Sequence, residues 1–293
     1  MPEHPIISVP DLGDRLTTAR ETLVVLDATT HLDPPTDTER WPARSGRDTW
    51  LAEHVPGSRH LDLLTAVSDP AVAYHFSVAP DERLERTLRA LGVVDGVEVV
   101  VYDSTDGFWA ARAWWMLRDL GLPVRVLDGG LAAWRSAGRP VEAGDRPPAT
   151  PDGPLTLRPG RTTWADLDDV TAIVEGRADG QLVCALGAEQ FRGVGTTRYP
   201  RAGHIPGSRN LPAGSLRDAA DGRLLDPDAV RSLAEPVLGA PGSQPTVLYC
   251  GAGISAAGLA LGLVAAGYDD LRVYDGSLEE WTADGSRPMA VGD

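Results

Sequence analysis

The chain has 293 residues, a formal net charge of −15, 42% hydrophobic residues and 24% charged residues. That length exceeds what one hydrophobic core usually spans, so two domains of roughly 150 residues each are expected. The acidic balance argues against nucleic acid or an anionic membrane surface as partner, and the absence of any lysine excludes Schiff-base chemistry and a phosphate-loop lysine.

The first residues, MPEHPIISVPDLGDRL, lack a basic stretch followed by an apolar core, so no secretory signal is expected. Further on, apolar runs of strand length alternate with helix-like segments. LVVLDA, VEVVVYD and VRVLDG in the first half are followed by QLVCAL, PTVLYC and LRVYDG in the second. The runs AARAWWMLRDLG and AAGLALGLVAAG each stop at a glycine, a helix terminator. Short apolar strands separated by helices predict an α/β architecture with parallel sheets buried on both faces. No apolar run reaches the roughly 20 residues of a membrane span.

The chain repeats itself. HVPGSRHLDL from residue 54 returns as HIPGSRNLPA from residue 204, VVVYDSTDGFWAARAWWML aligns with TVLYCGAGISAAGLALGLV, and VRVLDGGLAAW returns as LRVYDGSLEEW. Three blocks in one order at nearly one offset indicate a duplicated domain. The expected organisation is a domain over 1–142, a Pro- and Gly-rich linker over 143–160, and a second domain over 161–293. His54 and His204 begin the twin turns of both halves, which points to a structural role. Trp114, Trp115, Trp134 and Trp281 are expected to fill the cores.

The stretch YCGAGISAAG places Cys250 at the carboxyl end of a strand and before a helix, where ligands of parallel α/β folds sit. Gly251, Ala252, Gly253, Ile254, Ser255 and Ala256 form a tight loop of small residues around it. Successive amides in such a curl, with the positive end of the helix, make an anion nest that stabilises a thiolate. The first half carries Asp103 at the same point, so only one half has a nucleophile. Two cysteines make neither a disulfide framework nor a zinc site of the usual spacing, which suits a reducing cytoplasm, and no metal or organic cofactor is expected.

These residues (HVPGS and HIPGS, AARAWWMLRDLG, LDGGLAAW, YDGSLEEW and above all CGAGISA) resemble the tandem-domain rhodanese and 3-mercaptopyruvate sulfurtransferase family over nearly the whole chain. The resemblance implies two rhodanese-like domains, each a mainly parallel sheet flanked by helices, with the first catalytically inert. It also implies a Cys250 persulfide formed from a small anionic sulfur donor. The neutral loop is similar to that of the mercaptopyruvate branch, with Ser255 keeping a hydroxyl. A thiol such as thioredoxin, or cyanide, would accept the sulfur.

Departures from the family pattern bear on the substrate site. Ala252 stands where the neutral loop has serine; His75 matches the histidine of the family's hydroxyl–histidine–acid relay, and Leu64 stands nearest the acid position, beside Asp62. The family's Asp-Ala-Arg triplet is replaced by Cys184, Ala185 and Leu186, although the first half keeps an acid as Asp27. Arg192 is the first candidate to clamp a donor carboxylate, followed by Arg198 and Arg201; each also fits a solvated surface residue. Cys184 is either a buried cysteine or a resolving thiol for Cys250. A cysteine phosphatase would need arginine six residues after the nucleophile, where this chain has Ala256. A persulfide carrier served by a protein partner is the alternative to an enzyme acting on small molecules.

Overall fold

The computed structural model describes residues 4–36, 39–145, 153–158 and 162–292. Strands in the first half are β1 (Ile6–Ile7), β2 (Leu23–Asp27), β3 (Thr30–Leu32), β4 (Ala43–Ser45), β5 (Arg59–His60), β6 (Glu98–Tyr102) and β7 (Val124–Leu127). In the second half they are β8 (Trp164–Ala165), β9 (Gln181–Cys184), β10 (Arg209–Asn210), β11 (Thr246–Tyr249) and β12 (Leu271–Tyr274). One sheet runs β1-β7-β6-β2-β5 and the other β8-β12-β11-β9-β10, both parallel throughout, so the halves share one topology. Their central strands are apolar because helices cover both faces. The antiparallel pair β3–β4 is an addition to the first half.

The repeated turn and the repeated tyrosine act together. The Tyr102 hydroxyl accepts the Val55 amide at 3.1 Å and meets the Ser58 hydroxyl at 3.0 Å; the Tyr249 hydroxyl accepts the Ile205 amide at 3.1 Å and bonds Ser208 at 2.8 Å. His54 and His204 are buried, bond the carbonyls of Trp50 and Phe191, and stack on those same rings. Each HxPGS turn therefore pins the end of the strand that leads to residue 103 or 250. The four tryptophans singled out above are all buried.

The helices that follow β6 and β11, Phe108–Asp119 and Ile254–Ala265, pack against each other and join the two halves into one apolar cluster. Glycine at 258 permits this approach: a Cβ there would stand 2.3 Å from the Phe108 ring. Two aspartates brace the junction reciprocally, Asp128 accepting the Leu224 amide and Asp275 the Val78 amide, both at 3.0 Å. Of the expected linker 143–160, residues 153–158 lie against the first half. Thr156 bonds the Asp95 carboxylate, the Arg158 amide bonds the Leu120 carbonyl, and Leu155 is buried. Residues 146–152 and 159–160 fall outside the described ones.

Candidate active site

Cys250 follows β11 directly and is only 2% exposed, at the floor of a cleft of about 470 Å³ between the halves. The second half contributes Cys250, Gly251, Ala252, Ile254 and Ser255, with Leu186, Gln190, Arg198 and Tyr199 beside them. The first half supplies the opposite wall from β3, Asp33, Trp41 and the start of helix Phe108–Asp119. Gly251 is held between two rings. A Cβ there would lie 3.2 Å from Trp41 and 3.7 Å from Tyr199, so this position has little room for a side chain.

Ser277 organises the loop. Its hydroxyl accepts the amides of Cys250 at 3.1 Å and Gly253 at 3.0 Å and donates to the Tyr274 carbonyl at 2.8 Å, using its full capacity. Gly253, the residue before the helix, has φ +75°, a conformation open to glycine. The amides of Gly251, Ala252, Ile254, Ser255 and Ala256 have no acceptor among the described residues, as an anion nest requires.

The first half shows the same nest filled. Asp103 Oδ1 accepts the amides of Thr105 and Gly107 at 2.9 and 3.0 Å, and Oδ2 accepts the Ala110 amide at 2.8 Å. Ala110 and Ala256 each stand third in the helix that follows the loop. Where the second half has Ser277, the first has Gly130, whose absent Cβ would stand 2.4 Å from the Asp103 carbonyl oxygen. A carboxylate closes one nest; in the other a serine ties the amides of Cys250 and Gly253, and those of Gly251 and Ala252 keep no acceptor among the described residues.

The candidate residues separate into two groups. Cys250, the loop from Gly251 to Ser255 and Arg198 come together at the cleft, with Ala256 buried in the first helical turn behind them. Arg198 lies over the Trp41 ring at 5.6 Å and donates to the Arg40 carbonyl, while Arg40 donates to the Tyr199 carbonyl in return. Arg192, Arg201 and His75 do not line the cleft. Arg192 is exposed at the end of helix Ala188–Phe191, and Arg201 donates to the carbonyls of Asp284, Gly285 and Arg287. His75 pairs with Glu279 at 2.6 Å and stacks on Trp41, and this hydrogen bond raises its pKa. Asp62 caps its own turn through Leu64 and Thr65, so His75, Asp62 and position 252 form no relay here.

Cys184 is no partner for Cys250. It pairs in register with Tyr249, so it shares that residue's face of the sheet, and Cys250, one residue on, belongs to the opposite one. Burial pushes its thiol up to about 12, which removes the thiolate a resolving cysteine needs. Sequence reasoning missed Trp41, Asp33, Ser277 and Arg112. The exchange of Gly130 for Ser277 between the repeats was a usable signal for one of them; the cleft wall from β3 to Trp41 left no repeat to compare.

A duplicated parallel α/β fold with a cysteine-bearing loop in one half, facing a cleft between the halves, defines a two-domain α/β protein with one candidate nucleophile. The rhodanese-like domain family matches residues 14–137 and 187–284. Mycobacterium tuberculosis SseB, whose name offers thiosulfate as substrate, is 34% identical over 277 residues, 94% of this chain and 93% of its own. Human 3-mercaptopyruvate sulfurtransferase is 32% identical over 245 residues, 81% of this chain and 80% of its own. The crystal structure of Escherichia coli SseA, a 3-mercaptopyruvate sulfurtransferase, superposes with a TM-score of 0.79 at 26% identity, covering 94% of this chain and 98% of that one. The chain belongs to the tandem-domain rhodanese and 3-mercaptopyruvate sulfurtransferase family, and it is a sulfurtransferase.

Proposed function

We propose that Cys250 carries the sulfur, taking it from a small anionic donor, 3-mercaptopyruvate in preference to thiosulfate, and passing it to a thiol such as thioredoxin or to cyanide. The Cys250 thiolate attacks the donor sulfur and an S–S bond forms. The donor C–S bond breaks, its electron pair goes to carbon, and the proton of the donor thiol ends there, leaving pyruvate and a Cys250 persulfide anion. The acceptor then takes the outer sulfur and restores the thiolate. The observation that carries this reading is the pair of nests: the one at Asp103 is closed by its own carboxylate, whereas the one at Cys250, which lines the cleft, keeps amides without an acceptor among the described residues.

A carboxylated donor is supported by the neutral loop and by Arg198, the guanidinium among the residues lining the cleft. Arg192 and Arg201 would reach a donor only after rearrangement. The domain limits 1–142 and 161–293 are proposed as the inert and the working unit, and a cytoplasmic setting as the one that keeps Cys250 reduced. Among the described residues no helix is long and apolar enough to cross a membrane.

A carrier that receives sulfur from a protein persulfide is the second reading, favoured by Leu186 and Ala252 facing the cleft where the family pattern has arginine and serine. Steady-state transfer with 3-mercaptopyruvate and with thiosulfate tests both, using wild type and Cys250→Ser. Loss of all transfer in a folded Cys250→Ser protein is expected, and retained transfer refutes the mechanism. Wild type inert to both donors, with Cys250 still accepting labelled sulfur from a protein persulfide, favours the carrier.

A further inference from the structure

The two nests are each backed by a guanidinium from the opposite half. In the first, Arg217 lies beside Gly107: its terminal nitrogens are 2.8 Å from where a Cβ on that glycine would stand, and Nη2 donates to the Gly107 carbonyl at 3.3 Å. Beside it is the fixed anion Asp103. In the second, Arg112 from helix Phe108–Asp119 lies beside Gly253, with Nη1 2.6 Å from the corresponding point. Gly107 and Gly253 are equivalent, each preceding its helix with φ of +81° and +75°. The arginines are not equivalent, since Arg112, fifth residue of its helix, corresponds to Gly258, fifth residue of the other. Two unrelated positions thus deliver the same charge to the same place, and in the first half that charge faces an anion.

Arg112 is 4% exposed. Its Nη2 donates to the Phe76 carbonyl at 2.6 Å and pairs with Asp275, and the guanidinium lies 4.5 Å from the Trp164 ring centre. Nη1, the nitrogen next to the loop, is buried with no hydrogen-bond partner among the described residues. Asp275 is shared, because its other oxygen accepts the Val78 amide and the Tyr74 hydroxyl. Other titratable groups around the loop include Tyr199 and Cys184 on one side, the His75–Glu279 pair at its flank and Glu280 beside Asp275. Across the cleft stand Asp33 and Asp106, and Arg198 lines the same side as Cys250.

We infer that Arg112 is a positioning residue whose charge, supplied by the half that lacks the cysteine, stabilises the sulfur anion on Cys250. The inference rests on Cys250 as the sulfur carrier, and it gives the inert half a chemical role besides walling the cleft. A buried, incompletely paired guanidinium gains most from an anion formed nearby in a medium that screens poorly.

The test is the pH dependence of Cys250 alkylation by iodoacetamide, read by mass spectrometry, in wild type, Arg112→Met, Arg112→Lys and Asp275→Asn. Arg112→Met is expected to slow Cys250 alkylation at neutral pH several-fold, a shift of its pH–rate profile toward higher pH. Arg112→Lys restores most of the shift, and Asp275→Asn, which frees the guanidinium of its counter-charge, moves it the other way. A purely structural role moves both charge variants alike or not at all, and that outcome overturns the inference. If Arg112→Met does not fold, an unshifted Asp275→Asn is enough to refute it. Alkylation needs no sulfur donor, so the result is independent of whether 3-mercaptopyruvate is turned over.

Discussion

Replacing Ser277 with alanine removes the one oxygen that receives the amides of both Cys250 and Gly253. Each buried N–H left without an acceptor costs about 1–3 kcal/mol, and partial relaxation of the loop into the cleft holds the pair to about 2–4 kcal/mol. For a protein of this size each kcal/mol lowers Tm by roughly 2–4 °C, so a fall of about 5–15 °C is expected. The backbone adds a second, signed expectation. Ser277 has φ +49°, which costs a side-chain-bearing residue about 1 kcal/mol or more relative to glycine. Ser277→Gly loses the same two hydrogen bonds but relieves that strain, so it should melt about 2–4 °C above Ser277→Ala. The first half already uses glycine at this point, Gly130 at φ +56°. Thermal unfolding of the three proteins, with sulfur transfer measured alongside, decides the matter. Transfer should fall in both variants because the nest loses its anchor. An alanine variant that melts and turns over like wild type refutes the role given to Ser277, and a glycine variant melting below alanine refutes the strain argument.

Arg198→Ala should raise KM for 3-mercaptopyruvate several-fold while Arg192→Ala and Arg201→Ala leave it within twofold; equal effects at all three would remove Arg198 as the donor contact. The His75–Glu279 pair predicts a pH dependence. The folded His75 pKa lies above the ordinary value of 6.5 because Glu279 accepts its proton, so its contribution is complete below that value and is lost as pH rises through the raised one. Tm should therefore decline over this interval in wild type by a margin absent from His75→Gln, and parallel curves for the two proteins would rule out a stabilising pair.

Much of the fold was legible because duplication let the chain act as its own comparison. The strand before Cys250, the helix ended by glycine and the twin HxPGS turns all recur, and the sheets carry them in identical order. The candidate nucleophile stood out for the same reason, as the one thiol in either of two similar loops. The substrate contacts were not. Arg192, Arg198 and Arg201 lie within ten residues of one another, yet one faces the cleft, one sits exposed at a helix end away from it and one is consumed by the carbonyls of Asp284, Gly285 and Arg287. Arginine at a loop position specifies a charge and leaves its direction to whatever packs around it.

Local pattern and repetition determine what short-range forces control: apolar periods, glycine at positive φ, and a cysteine placed where a strand meets a helix. The cleft, the guanidinium beside the Cys250 loop and the separation of Cys184 from Cys250 depend on how the halves dock and which face of a sheet each residue takes. Arg112 and Gly253 are 141 positions apart in the chain and meet only because Gly258 lets two helices close on each other. Contacts of that range are set by packing across the whole molecule, and so only the tertiary structure decided them.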